Sequence, residues 1–97
     1  MDLELQGKTA LITGGSRGIG KAIARELSLC GCTVAITARG SQALELAAKE
    51  ISDESGQHVL GIVCDLTSTE DVGTMVESAA NEMGGRIDIL VNNAAAP

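Results

Sequence analysis

The segment Lys8–Lys21, KTALITGGSRGIGK, constrains the fold of this chain more than any other. Thr9 to Thr13 is a short run of apolar and β-branched residues, long enough for one buried strand. The run stops at Gly14-Gly15, and from Ile19 the apolar spacing turns helical, with Ile19, Ala22, Ile23 and Leu27. A strand therefore passes through a glycine-rich turn directly into a helix. That order aims free backbone N–H groups and the positive end of a helix dipole at one point, and a phosphate is the natural occupant. Gly14, Gly18 and Gly20 form G-x-x-x-G-x-G, whereas the usual dinucleotide spacing is G-x-G-x-x-G. The mechanics carry over: one glycine permits the tight turn, one lets backbone approach a pyrophosphate, and one lets the helix pack closely on the sheet. A glycine cluster by itself also fits an ordinary turn that needs positive φ.

The rest of the chain repeats the alternation. A helix is expected over Gly18–Cys30, with Gly31 in the C-terminal glycine position. Cys32–Thr37 reads as a second strand, and Ser41 as the N-cap of a helix whose inward positions are Leu44, Ala47, Ala48 and Ile51. Gly56 ends that helix. His58–Cys64 is a third apolar run, and Thr67 or Ser68 caps a third helix with Val72, Met75, Val76, Ala79 and Met83 turned inward. Gly84-Gly85 closes it, and Ile87–Val91 is a fourth strand running into Asn92-Asn93-Ala94-Ala95-Ala96-Pro97. Near-continuous apolar strands alternating with amphipathic helices predict an α/β fold, a doubly wound parallel sheet of Rossmann type in the order β-α-β-α-β-α-β. Right-handed crossovers prune the topology. If strands one to three step outward in one direction, the first two helices share a face. If the fourth strand returns beside the first, the third helix covers the other, giving the expected strand order 3-2-1-4. The crevice where that order reverses lies at the C-terminal ends of strands one and four. Gly14–Gly20 and Asn92–Ala95 both border it, so two separate segments converge on one binding position.

Length and composition narrow the function. At 97 residues the chain is one domain, 1–97, and 44% hydrophobic residues are enough for it to fold. A net charge of -6 argues against a nucleic-acid partner or an anionic membrane surface. No basic start precedes an apolar run, so neither a signal peptide nor a membrane span is expected, and cytoplasm is the default location. Cys30, Cys32 and Cys64 are odd in number and lack the paired spacing of a metal site, which makes structural thiols in a reducing compartment the simpler reading and leaves metal ligands at none. The chain has no Phe, Trp or Tyr. Chemistry that requires a tyrosine hydroxyl cannot come from it.

After strand two the dinucleotide fold usually places an acidic residue on the ribose 2′-OH. Here Thr37, Ala38, Arg39 and Gly40 occupy that position, and none is acidic. Arg39 supplies a fixed cation where a 2′-phosphate would sit, and Arg17 in the glycine turn reaches toward the same group. Guanidinium matches phosphate oxygens in a bidentate fashion. This favours NADP(H) over NAD(H), against the alternative that both are solvated surface charges. Asp65 follows strand three, where it serves equally as an adenine contact or as a cap near the third helix. His58 has no evident partner. Gly15, Gly20 and Lys21 also satisfy G-x-x-x-x-G-K, but Ala22 follows where an NTPase loop needs Ser or Thr on Mg²⁺.

Thr13-Gly14-Gly15-Ser16-Arg17-Gly18-Ile19-Gly20, Asp65-Leu66 and Asp88-Ile89-Leu90-Val91-Asn92-Asn93-Ala94 together resemble the short-chain dehydrogenase/reductase (SDR) family, in family order and spacing. The resemblance implies an NADP(H)-dependent oxidoreductase that interconverts a carbonyl and an alcohol by hydride transfer. Position by position, it implies that Gly14, Ser16, Arg17, Gly18, Ile19 and Gly20 surround the pyrophosphate and adenosine ribose. Arg39 would hold the 2′-phosphate, and Asp65 with Leu66 the adenine. Asn93 and Ala94 would lie along the ribose on the nicotinamide side, while Asn92 ties down the strand end. Ala95 stands where the family usually has Gly. The family's catalytic Ser, Tyr-x-x-x-Lys pair and supporting Asn come later than Pro97, so no catalytic residue is assigned. The chain is expected to be the cofactor-binding N-terminal part of such an enzyme, inactive alone, and to meet a carbonyl or alcohol substrate only when completed. A stand-alone nucleotide-binding module or a non-functional truncated product are the alternatives. An uncovered fourth strand would favour self-association.

Overall fold

A computed structural model describes residues 4–93. Four strands and three helices alternate: β1 (Thr9–Thr13), α1 (Gly18–Leu29), β2 (Thr33–Ala38), α2 (Ser41–Ser55), β3 (Val59–Val63), α3 (Thr69–Glu82) and β4 (Ile89–Asn92). All pairings are parallel and the order is β3-β2-β1-β4, the arrangement expected. Leu11 pairs with Ala35 on one side and Leu90 on the other, so β1 is central. Every residue of β1 is buried, as a strand covered on both faces requires.

The two faces carry separate cores. On one, Ile12, Val34 and Ile36 pack under Ala24 of α1 and Leu44, Ala47 and Ile51 of α2. On the other, Leu11 and Ala35 meet Met75, Ala79 and Met83 beneath α3. Each fully buried Leu or Ile contributes about 1.5–3 kcal/mol relative to exposure. Helix α1 buries Gly20, Ala24 and Ser28, a face of small residues at i, i+4, i+8 that brings its axis close to the sheet. The polar member of that face is satisfied, because the Ser28 and Ser55 hydroxyls hydrogen-bond at 2.7 Å.

Several local expectations shift. The N-cap of α2 is Gly40, not Ser41, and no side chain caps it; Ser41 is already the first helical residue. Of the two candidates for α3, Ser68 is the cap, accepting from the Asp71 N–H at 3.2 Å. Val76 does not turn inward: it is 43% exposed, on the side of the sheet where α3 is the one helix among the described residues. Ile19 and Ala22 likewise lie outward on α1, Ile19 at 72% exposure. The fourth strand starts at Ile89 rather than Ile87; ahead of it the Asp88 N–H donates to the Thr9 carbonyl at 3.0 Å and the Thr9 hydroxyl donates to the Arg86 carbonyl at 2.7 Å. Leu90 on the α3 side is 64% exposed, and this strip is where the expectation of self-association rests.

At the N-terminal edge of the sheet Asp88 joins β4 to β1. Its carboxylate accepts from the Thr9 backbone N–H at 2.8 Å and from Arg86 Nε at 3.2 Å, while Thr9 Oγ1 accepts from the Asp88 N–H at 3.0 Å. The Thr9 backbone N–H, ahead of the Thr9 hydroxyl and Arg86, holds the Asp88 carboxyl below its ordinary value of 3.8. A carboxyl depressed in the fold contributes stability that is present above its unfolded pKa and lost as pH falls through the folded one. In Asp88→Asn the thermal midpoint at neutral pH should drop by a few degrees, and the acid limb below about pH 4 should flatten. Melting curves of both proteins across that range check this; parallel acid limbs would refute it.

Candidate functional site

The strand order reverses between β1 and β4, and at their C-terminal ends a cleft of about 870 Å³ opens. The glycine turn after β1 lines it with Gly14, Ser16 and Arg17, the segment after β2 with Thr37 to Gly40 and Ala43, the segment after β3 with Asp65, Leu66 and Thr67, and the end of β4 with Asn92 and Asn93. Gly14, Ser16, Arg17, Arg39, Asp65, Leu66 and Asn93 are thus brought together as the sequence predicts. Gly18 and Ile19 sit exposed at the start of α1, and Gly20 is buried behind the turn. Ala94 lies outside the described residues.

The glycines divide their work. Gly14 has φ 71° and Gly18 φ 63°, conformations that side-chain-bearing residues rarely adopt. Gly20 and Gly15 are required for closeness instead. A Cβ on Gly20 would stand 2.4 Å from the Gly14 carbonyl oxygen and 2.4 Å from Asn93 Nδ2, and one on Gly15 would stand 2.7 Å from Ile36 Cβ. The Gly15 N–H also extends the sheet by donating to Thr37 O at 3.0 Å. The dinucleotide spacing does not single out Gly15; only the packing of β2 against the turn exposes its role.

Neither helix that starts at this cleft has a side-chain N-cap bond among the described residues. Arg17, the N-cap of α1, is extended and makes no side-chain cap bond, and the first turn holds no acidic residue. Helix α2 begins in the same way after Gly40. By contrast α3 is capped by Ser68 and carries Glu70 and Asp71 in its first turn. Uncapped N–H groups with no competing carboxylate are suited to an anion. Among the described residues the ion pairs are Lys21–Glu50, Arg25–Glu54, Lys49–Asp53 and Arg86–Asp88, so no carboxylate closes on Arg17 or Arg39. The Lys21–Glu50 pair also bears on the G-x-x-x-x-G-K reading: it ties Lys21 across to α2, so the lysine is engaged there rather than over the turn.

Asp65 does not cap α3, where Ser68 is the cap; it holds the turn just before it. Its Oδ1 accepts from the Thr67 hydroxyl at 2.7 Å and the Thr67 N–H at 2.9 Å, forming the turn that leads to α3. The Thr67 hydroxyl, then its N–H, and more weakly Arg39 hold the carboxyl below its ordinary range. It remains on the cleft wall with its charge fixed. Cys64, beside it, is pushed up by burial first and by Asp71 and Asp65 after, so its thiol is protonated and inert at neutral pH. Asn92 Oδ1 accepts from Thr13 Oγ1 at 3.2 Å, tying down the strand end while lining the cleft.

The family described as short chain dehydrogenase matches residues 8–97. The 3-oxoacyl-acyl-carrier-protein reductase FabG of Aquifex aeolicus is 43% identical over 94 residues, covering 97% of this chain and 38% of the relative. The crystal structure of L-sorbose reductase from Gluconobacter frateurii complexed with NADPH and L-sorbose superposes with a TM-score of 0.92 at 40% identity, covering 99% of this chain and 36% of that one. NAD+-bound xylitol dehydrogenase gives 0.90 at 36% identity, over 96% and 35%. The chain therefore spans well under half the length of the proteins it matches. Among the described residues no helix is long and apolar enough to cross a membrane.

Proposed function

This chain belongs to the short-chain dehydrogenase family, and on that premise we propose that it is the NADP(H)-binding portion of an oxidoreductase interconverting a carbonyl and an alcohol by hydride transfer. Membership leaves the nucleotide open, since the neighbouring structures include one with NADPH and one with NAD+. The observation that carries the choice is the pair of guanidinium groups, Arg17 and Arg39, which flank the cleft without an ion-pair partner among the described residues, while no carboxylate follows β2. A 2′-phosphate would meet Arg39 beside the uncapped start of α2. The pyrophosphate would lie over Gly14, Ser16, Arg17, Gly18 and the first amides of α1, with Ile19 and Gly20 shaping that edge. Asp65 and Leu66 would border the adenine, and Asn93 with Ala94 the nicotinamide-side ribose.

When bound, the nicotinamide ring supplies the hydride. The chain contains no tyrosine, so its own residues bind and orient the nucleotide, and reduction of a carbonyl substrate would depend on residues of a longer polypeptide.

Calorimetric titration of the chain with NADPH and NADH tests the proposal. NADH has no 2′-phosphate for a guanidinium to grip, and forgoing that bidentate pair corresponds to about a tenfold to hundredfold weaker binding. Equal affinities would remove the NADP(H) assignment, and no binding of either would remove the nucleotide site.

A further inference from the structure

Helices α1 and α2 lie on one face of the sheet, and both start at the cleft. Each start carries one guanidinium: Arg17 is the N-cap of α1, and Arg39 stands just before Gly40, the N-cap of α2. The fully buried residues of α1 are Gly20, Ala24 and Ser28, all small. Small side chains let a helix approach its neighbours, but their shallow ridges resist sliding along the axis only weakly. Polar links run along the α1–α2 seam instead: Lys21 with Glu50, Arg25 with Glu54, and the Ser28 hydroxyl with Ser55 Oγ at 2.7 Å. Lys21 and Arg25 are one helical repeat apart, and so are Glu50 and Glu54, so both ion pairs keep a single register. Lys21 is the fourth residue of α1 and Glu50 the tenth of α2, while Ser28 is the eleventh and Ser55 the fifteenth. At 1.5 Å per residue these links set the start of α2 about 6–9 Å beyond that of α1.

We propose that the Lys21–Glu50 and Arg25–Glu54 pairs act as a spacer that fixes the distance between two phosphate positions, which makes Glu50 and Glu54 positioning residues for a nucleotide gripped at both. The inference rests on the nucleotide-binding reading above and adds to it the element that measures the ligand. The pyrophosphate position belongs to the start of α1, and the 2′-phosphate position to Arg39 at the start of α2. One adenosine ribose holds its 2′- and 5′-phosphates at a set separation, so both are gripped together only while the two helix starts keep theirs. A register held before the ligand arrives spares the cost of ordering it on binding. Neither glutamate lines the cleft. They act through Lys21 and Arg25, on where the helices stand.

The probes are adenosine 2′,5′-bisphosphate, adenosine 2′-monophosphate and adenosine 5′-monophosphate. The readout is the bisphosphate association constant divided by the product of the two monophosphate constants, which reports the gain from gripping both phosphates at once. A change in net charge acts on each phosphate separately and cancels in that ratio. Titration of the unmodified chain comes first: a bisphosphate bound no tighter than either monophosphate removes the nucleotide reading on which the spacer rests. Given that gain, Glu50→Gln/Glu54→Gln should lower the ratio about threefold to tenfold, the worth of two half-exposed ion pairs. Glu54→Arg should also lower it, by setting like charges face to face. The exchange Arg25→Glu/Glu54→Arg rebuilds the pair with the overall charge unchanged, and should return the ratio to within about twofold of the unmodified chain. An unchanged ratio in the glutamine variant overturns the proposal. So does an exchange that fares no better than Glu54→Arg alone, or a joint loss of all three probes in these variants, which assigns the pairs to general stability.

Discussion

Gly20→Ala is expected to destabilise the chain by about 1–3 kcal/mol, the usual cost of forcing atoms into a packed site, and to weaken NADPH binding at least tenfold. The new Cβ would lie 2.4 Å from the Gly14 carbonyl oxygen and 2.4 Å from Asn93 Nδ2. Neither can retreat alone, because they are bonded to each other and Gly14 is anchored in the turn. Alanine would gain roughly 1 kcal/mol over glycine in helix propensity, but that gain is smaller than the steric cost. The matched control is Gly73 in α3, where an added Cβ meets nothing within 4 Å. Gly73→Ala should stabilise by up to about 1 kcal/mol and leave binding unchanged. Urea denaturation of the two variants should give shifts of opposite sign. Two stabilising shifts would mean that Gly20 is not sterically required.

Arg39→Asp should reverse nucleotide preference. Removing a charge-assisted hydrogen bond costs about 1.5–3 kcal/mol, or roughly tenfold to over a hundredfold in affinity. The new carboxylate would repel the 2′-phosphate and accept from the 2′-OH of NAD(H), the role that an acidic residue takes after the second strand in dinucleotide folds. NADPH affinity should fall about a hundredfold while NADH affinity holds or rises. Arg39 also helps keep the Asp65 carboxyl ionised, though less than Thr67 does, so the Asp65 turn should survive the change. Titration of the variant with both nucleotides decides the matter. A parallel loss for both would assign Arg39 to general electrostatics.

The elements themselves were legible along the chain, because each rests on local physics. The run at Thr9–Thr13, the left-handed glycines at Gly31 and Gly56, and the hydroxyl at Ser68 each fix a strand, an end or a cap through nearest neighbours alone. With strands one to three stepping outward and the fourth returning beside the first, the expected order was 3-2-1-4, and the sheet adopts it. Polar and charged candidates for the cleft were also legible, since Arg17, Arg39 and Asp65 follow strand ends that the topology gathers at one edge.

What periodicity could not tell is which apolar face finds a partner. Val76 and Leu90 have the spacing of core residues but remain exposed, because α3 is the one helix over that side of the sheet among the described residues. Nor could spacing reveal why Gly15 and Gly20 are glycines. The reason for Gly15 is Ile36 on the neighbouring strand, and the reason for Gly20 is the Gly14 carbonyl together with Asn93, at the far end of the chain. Sequence by itself determined the strand–turn–helix grammar, the parallel order and the cationic character of the cleft, all set by local backbone preference, handedness and charge. Only the tertiary structure decided which glycines are steric necessities, that Asn93 closes the turn, and that Arg17 and Arg39 are spared from ion pairs among the described residues. Those depend on distances between residues remote in sequence, and distance is what folding supplies.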